Sequence, residues 1–350
     1  MKYFNKLILS NLKINLTFAT MFLILGMSWG QVTYYSKAAA TNFNDVNSWG
    51  TAADGTGASP ASITTADNYI VANASVLNLT ANAGVRSLTI NTGTLTVAAN
   101  TLLIEIPTQN NTELNVTSGG QLNLTGGTIN VNGAVYFTNN AGFNQSGGLL
   151  KIDPNSGTAA TSIGGVGNTT AKTFGIGYLA GGVTTSAISS AVNVAKFQLT
   201  GGIVQIVDPT ISTSTSAYSV AIVTNFALNL GVGHTIKFGD GVSTQAAGNV
   251  NGFYIYMFTG SSYGVLGNVE VDVLTGTSRW VKTTSSVGIL GNLTITSGEF
   301  WNSSVLYITG NIVNNGIFTS TSTLYFGSYF NATVAASTVA QNVSGAGTFR

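Results

Sequence analysis

Leu122-Asn123-Leu124-Thr125-Gly126-Gly127-Thr128-Ile129-Asn130-Val131 carries the pattern that decides the fold: two apolar-polar-apolar triplets joined through a glycine pair. Side chains on a strand alternate between its faces, so each triplet reads as a short strand with two apolar residues inside and one polar residue outside. The same phrase returns at Leu88-Thr89-Ile90, Leu95-Thr96-Val97, Leu293-Thr294-Ile295 and Leu306-Tyr307-Ile308. A strand this short cannot bury its apolar face alone, but many copies stacked on one another can, and that is the logic of a solenoid. The expectation is an all-β chain, a parallel β-solenoid, right-handed, with coils of about 20 residues.

The spacings support one coil per phrase. The glycine pair Gly126-Gly127 returns as Gly147-Gly148, an interval that matches one solenoid coil. The segment from Phe143 to Pro154 then returns as Phe197 to Pro209, with Gly148 and Gly202 separated by more than twice that interval. A longer and looser set of coils must fill the gap, where 158–190 reads as irregular loop. Near the end, Gly267-Asn268, Gly291-Asn292 and Gly310-Asn311 follow one another at coil-length intervals, and each opens a strand. Both members of a Gly-Asn pair tolerate positive φ, so each pair marks a corner. After residue 30, only 187–196 admits a helix. About 270 residues at ~20 per coil give ~13 coils and a rod of ~60 Å.

Composition agrees with stacking. Only 7% of residues are charged, while 43 of 350 are glycine. Equivalent outward positions on neighbouring rungs lie ~4.8 Å apart. Like charges there repel by roughly 1 kcal/mol in bulk water and about 3.5 kcal/mol at an effective dielectric of 20. Ladders of Thr, Asn and Ser avoid that repulsion. Without residues 1–30 the chain carries nine basic and eleven acidic residues, a formal charge of −2, and no basic patch to hold nucleic acid. There is no cysteine and one histidine, so thiolate and most imidazole metal sites are excluded, and no cofactor is expected.

Three segments follow. In 1–30, Lys2, Lys6 and Lys13 precede an apolar run from Leu16 to Leu25, with small residues before Gln31, the pattern of a cleaved secretory signal. The run is too short to span a bilayer, which needs ~20 apolar residues, so the mature chain is expected to have no transmembrane span. Residues 31–75, with Tyr34, Tyr35 and Trp49, lack the repeat and read as an N-terminal cap over the open end of the stack. Residues 76–350 are the solenoid repeats, and because 347–350 fall inside a repeat, the coils are expected to continue beyond them.

The opening, Tyr34-Tyr35-Ser36-Lys37 with Asn44-Asp45, Ser48-Trp49-Gly50 and Asp54-Gly55-Thr56-Gly57, resembles the start of large secreted surface proteins of Bacteroidetes. The late stretches Gly291 to Phe300 and Gly310 to Phe318 resemble their repeat units. The resemblance implies a surface or adhesin-like role, an extracellular or outer-surface location, and export machinery of the type IX secretion system as a partner. The sorting domain that machinery reads is not in these residues.

Among candidate sites, Glu270 and Asp272 are the best carboxylate pair. In Val269-Glu270-Val271-Asp272-Val273 both face outward, ~7 Å apart, a separation suited to an inverting glycosidase. They project from one strand, however, and with Arg279 and Lys282 read as a surface charge cluster. A carbohydrate-active β-helix enzyme, a lyase or hydrolase, is the alternative reading, and no catalytic residue is assigned. Asp153 and Asp208 precede prolines and Asp240 lies between glycines, so all three read as turn residues. His234 reads as a loop histidine, and no metal site is assigned. Aromatic residues are the better binding candidates. With Phe253, Ile255 and Met257 inward, Tyr254 and Tyr256 would share an outward platform suited to stacking on sugar rings, or lie buried beneath a loop or in an aromatic ladder. Trp280 and Trp301 are the next candidates. The expected function is structural or adhesive, with contact to glycans or extracellular matrix.

Overall fold

The computed structural model describes residues 31–105, 112–117, 119–153, 172–177, 191–208, 218–224, 231–242, 252–258, 264–274, 280–327 and 341–350. The chain divides into two compact units, Met1–Val32 and Thr33–Arg350. The expected signal, 1–30, lies outside the described residues, and the second unit is a parallel β-solenoid.

Each early coil makes three short strands that lie on three faces. Ser87–Asn91, Thr94–Val97 and Thr101–Glu105 form one coil, and Thr112–Thr117, Gln121–Leu124 and Thr128–Asn132 form the next. They stack strand on strand, Leu88 on Leu114, Leu95 on Leu122 and Leu102 on Ile129. The first face runs the length of the unit as a 13-stranded sheet, from Trp49–Gly50 and Thr33–Ser36 to Thr348–Phe349. Only Trp49–Gly50 pairs antiparallel. The remaining rungs are parallel and give the face a height of ~55 Å at the usual strand spacing.

The second and third faces fuse midway in two long strands, Gly142–Ile152 and Phe197–Ile206. Their N-terminal halves continue the second face and their C-terminal halves the third. The third face goes on through Thr235–Phe238, Asn268–Asp272, Leu293–Ser297 and Ile312–Asn314. By chain order the second face resumes as a four-stranded sheet, Gly264–Leu266, Val287–Ile289, Leu306–Ile308 and Leu324–Phe326.

The registers match the sequence spacings. Thr128 lies beside Leu149, and Leu149 beside Ile203, so these strands are offset by the same intervals as their glycine pairs. Val269, Leu293 and Ile312 likewise align at the intervals of the Gly-Asn corners. At the fused corner Gly148 and Gly202 take φ of +70° and +78°, and a Cβ on Gly202 would sit 2.4 Å from the Gly147 carbonyl oxygen. Only glycine fits there.

One core cluster runs from Phe43 and Trp49 to Phe318. The segment expected to act as a cap also supplies rungs, because Thr33–Ser36 and Asn68–Val71 already belong to the first sheet. Its aromatics pack edge to face, Phe43 on Trp49 at 5.2 Å and Trp49 on Tyr69 at 4.9 Å, with the Trp49 indole N–H donating to the Phe43 carbonyl at 2.9 Å. A four-residue helix, Ala191–Val194, lies inside the stretch that admitted one.

Candidate functional site

On the first face, Phe253, Ile255, Val281, Phe300 and Phe318 point into the core. The period of two therefore turns Tyr254, Trp280, Lys282, Glu299, Trp301 and Thr319 outward. Parallel stacking sets them in two rows: Tyr254, Lys282, Trp301, Thr319 and Trp280, Glu299, Ile317. The rows interlock. Tyr254 meets Trp280 edge to face at 4.8 Å and 84°, and Trp280 meets Trp301 at 5.9 Å and 76°. The Lys282 ammonium lies 3.8 Å from the Trp301 ring centre and 5.8 Å from that of Trp280. Edge-to-face pairs and cation–π contacts of this kind each contribute about 1 kcal/mol.

Neighbouring polar groups hold the lane in place. The Trp301 indole N–H donates to Thr321 Oγ1 at 3.2 Å, and Thr319 Oγ1 donates to Glu299 Oε1 at 2.6 Å. A Cβ on Gly252 would fall 2.7 Å from the Trp280 ring, so glycine there lets the indole lie across the previous strand. Trp280, Lys282, Glu299 and Trp301 remain half-buried. Tyr254 is only 5% exposed, and burial pushes its phenol pKa up.

This differs from the tyrosine platform expected from the sequence. Phe253, Ile255 and Met257 do point inward, but Tyr254 is covered beside Trp280. Tyr256 stacks on Tyr218 at 4.7 Å and 12°, against a second cluster of Ala134, Tyr136, Ala221 and Val223. The outward side of the sheet is itself packed there, so Tyr254 is covered and Tyr256 has one ring face on Tyr218. What forms instead is a lane in which Tyr254 packs against Trp280 and Trp280 against Trp301. Alternation identifies outward aromatics, whereas their contacts depend on coil register.

Glu270 and Asp272 stand in a charge cluster, as expected, but their partner is Lys237 from the preceding coil. Its ammonium lies 2.7 Å from Glu270 Oε1 and 3.1 Å from Asp272 Oδ2. Burial lowers the lysine pKa, yet hydrogen bonds to the two carboxylates outweigh it and hold the ammonium above its ordinary value. Ser297 Oγ also donates to Asp272 Oδ1, at 3.1 Å. Lys237 is remote from Glu270 in sequence and directly beside it in register, so local reading missed it. Lys282 lies on a different face, and Arg279, Pro154 and Pro209 fall outside the described residues. Asp240 accepts the Val242 N–H at 3.0 Å, a turn contact.

His234 does lie in a loop, between the turn at 232–233 and a strand, but its side chain is in the interior. It is fully buried immediately before the strand Thr235–Phe238, with Nε2 3.0 Å from Gln145 Oε1, and burial lowers its pKa to about 4. Flanking glycine suggested a loop, but the side chain follows the inward path of its coil. Among the described residues no three His, Asp or Glu side chains gather as a metal site, and no helix is long and apolar enough to cross a membrane. No family model, curated protein or solved structure matches the chain.

Proposed function

We propose that this chain is a secreted, cell-surface structural and adhesive protein, a rod that presents the lane of Trp280, Lys282 and Trp301 beside Tyr254 to glycans or extracellular matrix. The observation that carries this reading is the alignment of two half-buried indoles with a lysine and a glutamate on one outward face. Indole faces pack against the C–H surfaces of sugar rings, and the flanking Glu299, Thr319 and Lys282 supply polar partners for hydroxyl groups. One acid and one base leave the lane close to neutral, which favours an uncharged ligand. Engagement of both Glu270 and Asp272 by Lys237 supports binding over turnover.

The leader pattern in 1–30 and the likeness of the opening and late repeats to Bacteroidetes surface proteins support export by a type IX route to the outer surface. Two measurements test the reading. Mass spectrometry of the native protein should give an N-terminus at or near Gln31, and a glycan array probed with 31–350 should yield uncharged glycans bound without cleavage. A retained Met1 in a membrane-embedded form, or turnover abolished by Glu270→Gln, would contradict it.

A further inference from the structure

We infer that the Gln145–His234 pair is an acid-sensitive joint in the rod: neutral His234 locks the fused coils together, and its protonation lets them open locally. Gln145 occupies the inward position that Leu124 and Leu199 hold in the adjacent coils, and it is fully buried. Its side chain crosses the next coil at the glycine corner, where a Cβ on Gly202 would lie 2.7 Å from its Nε2. Nε2 donates to the Ile203 carbonyl at 3.0 Å, so Oε1 is the acceptor facing His234 Nε2 at 3.0 Å. The amide orientation therefore assigns the imidazole proton to Nε2. His234 Nδ1 is left buried with no hydrogen-bond partner. A second proton placed on Nδ1 would have no acceptor, and the resulting cation no counter-charge.

Among the described residues the second face has no strand between Phe197–Ile206 and Gly264–Leu266. Between them the described residues 231–234 are held by Gly231 N to Leu199 O at 2.8 Å, His234 N to Gly231 O at 2.9 Å and, from the next coil, Asn268 N to His234 O at 2.8 Å and Asn268 Nδ2 to Val232 O at 2.6 Å. On the elements packed against His234 the titratable groups are Lys151, Lys237, Glu270 and Asp272. Lys237 bridges Glu270 and Asp272 on the outward side, and Lys151 alternates outward between buried Leu150 and Ile152. Asp153 and Asp208 sit past the far ends of the long strands. None of them supplies a counter-charge, and burial alone lowers the imidazole pKa to about 4.

An open coil exposes a histidine that titrates near its ordinary ~6.5. Between that value and about 4 the open state binds more protons than the closed one, so closure is complete above ~6.5 and weakens as pH falls toward 4. Relative to its high-pH limit, the opening constant should rise about 80-fold by pH 4.5 and about 300-fold in full.

Hydrogen exchange on 31–350, corrected for intrinsic rates, reads this directly. Between pH 7 and 4.5, protection of 197–208 and 231–238 should fall about 60-fold, while 293–302 stays protected. His234→Gln should abolish the local loss. Equal loss in wild type and variant, or uniform loss over all coils, would overturn the inference. Because the chain has one histidine, its imidazole resonances in wild type give a test independent of the variant: titration near 6.5 rather than about 4 would also overturn it.

Discussion

Asn268 Oδ1 accepts the backbone N–H of Asn292, one coil on, at 2.8 Å. Asn292 Oδ1 does the same for Asn311 at 2.9 Å, and Asn311 for Asn342 at 2.9 Å. Each Gly-Asn corner thus clamps the next through a side chain, adding to the backbone ladder about 1 kcal/mol per bond. The preceding glycine makes the approach possible, since a Cβ on Gly291 would lie 2.2 Å from Asn268 Oδ1.

Two substitutions separate the clamp from its clearance. Asn292→Ala should lower unfolding stability by about 1 kcal/mol, and Gly291→Ala by about 2 kcal/mol or more, because it adds a clash to the lost bond. Urea unfolding at neutral pH measures both. A Gly291→Ala protein as stable as wild type would remove the clamp from the account.

Ile295 is fully buried between stacked apolar layers. Ile295→Asp should cost several kcal/mol, because it places a carboxylate without a partner in the core. Its outward neighbour Thr294 changed to Ser should shift stability by less than about 0.5 kcal/mol. Similar losses at both positions would contradict the assignment of inside and outside.

Thr92 is an exposed β-branched residue held at φ +62°. The left-handed region disfavours such side chains, while Asn tolerates it. Thr92→Asn should therefore raise stability by about 0.5–1 kcal/mol, seen as a higher urea midpoint at unchanged slope.

Thr96 and Asn123 face outward on adjacent rungs in direct register. The natural chain has no cysteine, so Thr96→Cys/Asn123→Cys should form a single disulfide within one chain, since paired Cα atoms on neighbouring strands fall within bridging range. Thr96→Cys/Asn130→Cys, on different faces, should not. Bridging of the second pair alone would require another register.

Much of the fold was legible because its determinants are local. The triplets fix which side chains point inward, and glycine phrases such as Gly147-Gly148 and Gly201-Gly202 fix which coils stack. The observed strand pairings keep the intervals between those phrases. What local pattern does not carry is contact between coils of unequal length. Lys237 reaches Glu270 across 33 residues, and Gln145 reaches His234 across 89. The signal for the second was present at Gln145, a polar residue where neighbouring coils carry Leu124 and Leu199. Tyr254, Trp280 and Trp301 were recognisable as outward or candidate aromatics, but their edge-to-face lane depends on two further registers.

The central claim is that the lane of Trp280, Lys282 and Trp301 is the contact surface of the rod. Its most direct test is binding of 31–350 to the uncharged glycans selected on an array, comparing wild type with Trp280→Ala/Trp301→Ala at low and high salt. Wild-type binding should persist in high salt, since screening removes little from an uncharged contact, and binding should fall at least about 10-fold in the folded double variant, a loss of about 1.4 kcal/mol. Unchanged binding by the folded double variant, or wild-type binding abolished by salt, would contradict it.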